Sequence, residues 1–88
     1  RAFRDNLRDM PTVPGHPRIS IDDAFCVGKP RITGTRIPVD LILRTLAQSS
    51  MEWLLEGYPD LAREDVAAAL DYASDTVLAA QTLVVAAE

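Results

Sequence analysis

"GKPRITGTRIPVD", residues 28–40, packs two glycines, two prolines and three cations into thirteen positions and then enters a run of helical periodicity. A phosphate-binding P-loop needs its lysine directly after the second glycine. Here Lys29 follows the first, and Gly34 is followed by Thr35. The stretch is better explained as a corner. Gly28 and Gly34 supply backbone angles closed to other residues, while Pro30 and Pro38 fix the direction of the chain between a hairpin and a helix. Its cations have a structural reading too: Arg36 pairs with a carboxylate such as Asp40, and Lys29 and Arg31 are solvated.

On the C-terminal side, Pro38 is a favoured first helical residue and Asp40 lies in the first turn, where the helix dipole favours an anion. Val39, Ile42, Leu43 and Leu46 then fall on one face, which predicts a helix ending near Gln48. Ser49 followed three residues later by Glu52 reads as a capping box for a second helix, with Met51, Leu54, Leu55 and Tyr58 at helical spacing. Gly57 and Pro59 stop it. After the "YPDL" turn, residues 58–61, Val66, Ala69, Leu70, Ala73, Val77, Ala80 and Val84 stay within about 60° of one line on a helical wheel. That predicts a single third helix from about Ala62 to Val84.

On the N-terminal side, "RISID", residues 18–22, alternates Ile19 and Ile21 with polar residues, as a half-buried strand does. A second strand near Arg31 to Thr33 would pair with it, or with "FCV", residues 25–27. Pro11, Pro14, Gly15 and Pro17 read as an extended linker, preceded by a short amphipathic arm with Phe3, Leu7 and Met10 at helical spacing. The expected organisation is therefore an arm and linker over residues 1–17 and one domain over residues 18–88. The expected fold is mainly α: three helices, a small N-terminal β-hairpin and a long C-terminal helix.

Eighty-eight residues, 48% of them hydrophobic and 25% charged, suit one folded domain. A chain this short buries only roughly 60 to 65% of its unfolded surface, which makes a partner chain expected. No segment approaches the ~20 apolar residues of a membrane span, nothing resembles a signal peptide, and a cytoplasmic location follows as an expectation. The net charge of −4 is unevenly distributed. Residues 1–44 hold eight cations against five acids, net +3, and residues 45–88 hold one cation against eight acids, net −7. Nucleic acid would have to be held by the first half.

The chemistry-bearing residues suggest a binding protein without cofactor or metal, and no enzyme. One cysteine, Cys26, and one histidine, His16, cannot supply the four Cys or His ligands of a structural zinc site. Cys26 reads as a small buried hydrophobe and His16 as a linker residue. Asp22 and Asp23 are adjacent on a predicted strand and would point to opposite faces, which rules out a carboxylate pair acting together.

"GKPRITGTRIPVDLILRTLA", "SMEWLLEGYPDL" and "EDVAAALDYA" together resemble the domain of unknown function 433 family, with the similarity running from about Ile21 to Ala73. The resemblance implies a helix-turn-helix, homeodomain-like core. It also implies an antitoxin-type protein, of the VapB kind, that inhibits a toxin with a PIN-like ribonuclease fold and can repress its own operon. Three positions depart from the family's common residues: Val27 stands for glycine, Trp53 for glutamate, and Ala62 for a threonine opening the third helix. Ala62 cannot cap, at a cost of about 1 kcal/mol unless Asp60 takes the role.

The expected partners are thus a ribonuclease toxin, operator DNA and a second copy of the chain. The start of the third helix would enter the major groove in such a fold, yet its exposed Arg63, Glu64, Ala67, Ala68 and Asp71 carry two acids against one cation. The candidate DNA contacts are Lys29, Arg31, Arg36, Arg44 and Arg63, with Arg1, Arg4 and Arg8 of the arm. The candidate interface residues are Trp53, which faces away from the second helix's core side, and Val77, Leu78, Leu83, Val84 and Val85 on the third helix. A regulator acting by DNA binding alone, and an oligomerisation module of a longer protein, are the rival expectations.

Overall fold

The computed structural model describes residues 11–22 and 28–87, with the side chains beyond Gln81 excepted. The arm, "FCV" with Cys26, Asp23 and Val27 lie outside the described residues. Three strands, β1 (Thr12–Val13), β2 (His16–Ser20) and β3 (Arg31–Ile32), precede three helices, α1 (Val39–Gln48), α2 (Met51–Gly57) and α3 (Arg63–Ala87). The strands form one antiparallel sheet in the order β1-β2-β3, so the domain is mostly helical with a small N-terminal sheet and a long last helix.

The expected strand pairing is found, with Ile19 opposite Ile32 and Ser20 opposite Arg31. The linker is not. Pro14 and Gly15 form a tight turn, with Gly15 at φ 80°, and Thr12–Val13 return along β2. The register shifts between Thr12 and Val13. That irregularity accommodates Pro17, which has no N–H to donate to a regular ladder. His16 therefore opens a strand rather than lying in a linker.

Ile19, Ile32, Val39, Ile42, Leu54, Leu61, Val66 and Ala69 form the buried core. The sheet's two inward isoleucines meet the apolar faces of all three helices, which is what a sheet this small needs for stability. Two helix starts differ from expectation. Pro38 is the N-cap of α1 and not its first residue, with extended backbone angles. Ser50, not Ser49, caps α2, its hydroxyl accepting from the Trp53 N–H at 3.1 Å, while the Ser49 N–H closes α1 on the Thr45 carbonyl. One serine serves each helix, so no reciprocal capping box forms with Glu52.

The third helix outruns its support. At ~1.5 Å per residue its 25 residues span about 37 Å, against about 15 Å for α1. Among the described residues nothing on α3 after Ala69 is fully buried: Leu70 is 45% exposed, Val77 65% and Leu78 61%. No described helix is long and apolar enough to cross a membrane.

Candidate functional site

The corner at residues 28–40 is held together from within. Gly28 and Gly34 have φ 75° and 85°. Thr35 closes the turn, its hydroxyl donating to the Ile32 carbonyl at 2.9 Å and accepting from the Ile37 N–H at 3.1 Å. The loop folds back so that Ile32 N–H donates to Ile37 and Val39 N–H to Pro30, and Arg31 bridges Pro38. The Arg31 backbone is thereby paired with β2 on one edge and with the segment leading into α1 on the other. Arg31 is fully buried, and its Nε donates to the Thr35 carbonyl at 3.1 Å. The expectation that Arg31 is solvated and open to a phosphate is overturned by this burial.

The remaining cationic candidates among the described residues are at the surface, mostly engaged with acids; Arg1, Arg4 and Arg8 lie outside them. Asp40 is approached by Lys29 at 3.5 Å and by Arg44, one helical turn on, at 3.8 Å. Arg63 is 3.8 Å from Glu52. Arg36 is exposed and lines a groove with Gly34, Thr35, Ile37 and the Tyr58–Pro59–Asp60 turn. Lys29 and Arg44 are brought together by their shared carboxylate; Arg63 is drawn to the acidic α2 instead. Such exposed pairs are worth about 0 to 1 kcal/mol each, so they do little for the fold, yet they weaken the positive field a phosphate would meet.

One positioning residue was missed in the sequence. Asp65 is buried, and its carboxylate accepts from the Ala62 N–H at 3.0 Å and from Arg18 Nη1 at 2.7 Å. From the third residue of the helix it satisfies the backbone N–H of Ala62, the reciprocal half of a capping box whose other half Ala62 cannot supply. The signal was the A-x-x-D spacing, the second half of a capping box. Asp65→Ala is expected to cost about 1 to 2 kcal/mol: the cap supplies ~1 kcal/mol, and the pair with half-exposed Arg18 adds less than that after solvent screening. A urea unfolding midpoint unchanged from the parent would contradict this.

Two exposed apolar features stand out. Trp53 is 58% exposed on α2, flanked by exposed Glu52 and Glu56 and turned from buried Leu54. On α3, Leu70, Ala73, Ser74, Val77, Leu78 and Gln81 line a shallow groove at spacings of three and four, one continuous face. Val77 and Ala73 also line an apolar groove of about 420 Å³ against Pro30, Val39, Leu43 and Tyr72. The side chains of the other interface candidates, Leu83, Val84 and Val85, lie outside the described residues.

The architecture is that of a small sheet-and-three-helix domain whose last helix extends past its own core. A family described as "Protein of unknown function (DUF433)" matches residues 19–73, and the chain belongs to that family. Comparisons with curated proteins and with solved structures gave no match. The matched segment contains every residue of the buried core and stops at Ala73, where burial along α3 gives out.

Proposed function

We propose that this chain is a cytoplasmic binding protein and not an enzyme, the antitoxin component of a type II toxin–antitoxin module that inhibits a PIN-like ribonuclease toxin. The observation that carries this reading is Trp53, a large aromatic side chain left 58% exposed among acids on a helix that has no use for it internally. Tryptophan is enriched among the few residues that dominate binding energy at interfaces. The acidic second half supports the same reading, because a negative surface suits the cationic RNA-binding groove of a ribonuclease and repels nucleic acid. The ion-paired state of Lys29, Arg44 and Arg63 weighs against DNA as the main partner.

The test is co-purification with a PIN-like nuclease encoded beside this chain's gene, together with inhibition of that nuclease on RNA. Trp53→Ala should weaken the complex by about 30-fold or more, the ~2 kcal/mol of an interface hot spot, and leave folding intact. Inhibition as strong as the parent's would remove Trp53 from the interface. Absence of any inhibition by the parent protein would remove the antitoxin reading itself.

A further inference from the structure

We propose that His16, Asp71 and Asp75 form a binding site for one divalent transition-metal cation of the zinc class. His16 opens β2, and the two aspartates lie one turn apart on α3; one potential ligand atom from each lies within 4.8 Å of the other two. The sequence offers no hint of this grouping, since His16 and Asp75 are 59 residues apart. It exists because the Pro14–Gly15 turn delivers β2 onto α3, the contact that the linker reading missed.

The imidazole is already positioned. The His16 side chain is only 11% exposed, its ring meets Tyr72 edge-on at 5.4 Å and 86°, and its Nε2 is 2.9 Å from Asp75 Oδ2. Tetrahedral zinc with bonds of about 2.0 to 2.1 Å needs ligand atoms roughly 3.3 Å apart. The carboxylates are exposed and can rotate to reach that spacing, while the largely covered imidazole, packed on Tyr72, keeps its place. Two like charges one turn apart repel each other, and a cation between them turns that repulsion into attraction. An imidazole with two carboxylates favours zinc, cobalt or nickel over magnesium or calcium, which prefer all-oxygen shells. Three protein ligands leave one tetrahedral position for water.

The simpler arrangement is an ion pair between His16 and Asp75 with Asp71 as a bystander, and Asp71 separates the two. The full chain is titrated with zinc chloride by calorimetry and with cobalt chloride by visible absorption, in a non-chelating buffer. One ion per chain is expected, with a tetrahedral cobalt spectrum and a melting temperature raised by about 5 °C or more at saturation. Asp71→Asn, which leaves the His16–Asp75 pair untouched, should weaken zinc at least about tenfold, and His16→Gln should abolish binding. Circular dichroism confirms that each variant is folded. The site is refuted by no zinc binding up to millimolar concentration, or by affinity unchanged in Asp71→Asn. A thiolate-to-cobalt charge-transfer band, which would assign the ion to Cys26, refutes it equally.

Discussion

Arg31→Ala should lower the unfolding free energy by about 3 to 5 kcal/mol, the range for truncating a large buried side chain, with the loss of the Nε bond to Thr35 included. A domain of 88 residues has a total stability of roughly 4 to 13 kcal/mol, so this one change removes about a quarter of the upper figure and most or all of the lower one. The cause is geometric. The Arg31 backbone is paired with Ser20 of β2 on one edge and with Pro38 on the other, and its fully buried side chain holds, through Nε, the carbonyl of Thr35 inside the corner. Lys29→Ala is the control on the same loop: Lys29 is exposed and pairs with Asp40 at 3.5 Å, so it should cost less than about 1 kcal/mol. Urea denaturation of both variants measures the contrast. If they unfold at the same midpoint, Arg31 is not part of the framework. The contrast also governs any DNA experiment, because binding lost in Arg31→Ala would report unfolding and not a missing phosphate contact.

The helices were legible because their signals are local. Val39, Ile42 and Leu54 are buried as their spacing requires, and Gly34 has the positive φ its position demanded. What escaped depends on residues distant in sequence. Thr12–Val13 looked like part of a proline-rich linker because nothing near it shows that β2 is available for pairing. Arg31 reads as solvated because a cation in a short glycine- and proline-rich stretch ordinarily is; nothing local shows that the chain over residues 33–38 turns back to pair beside it and offer its Nε the Thr35 carbonyl. Leu70 and Val77 lie on the same wheel line as Val66, but a wheel gives direction along a helix and says nothing about where the opposing helix ends. The same blindness hid the His16 cluster and the Asp65 anchor to Arg18, both made by pairing the sheet with α3.

We propose that the chain is a dimer through α3, and Val77→Asp combined with Leu78→Asp should then convert it into a monomer. The face from Leu70 to Gln81 is apolar at helical spacing and exposed, and the neighbouring groove against Pro30, Val39 and Leu43 continues it. A second copy of α3 is the occupant that fits, because a two-fold pairing brings the same stripe against itself and covers both at once. Full burial of a valine or leucine is worth about 1.5 to 3 kcal/mol. Val77 and Leu78 are 65% and 61% exposed, so four such side chains in a two-fold dimer correspond to roughly 4 kcal/mol at the low end, about three orders of magnitude in the dissociation constant. Aspartates in that seam would add like charge to an already acidic half. The positions are exposed in the single chain, so the variant should keep its helical content and its core while losing its partner. Truncation after Ala73 is a harsher version of the experiment, since it also removes Asp75 and its bond to His16. Light scattering at tens of micromolar decides: the parent protein as a monomer, with the segment after Ser74 helical and protected from protease, would refute self-association through α3. A dimer that survives both aspartates would place the contact on another surface.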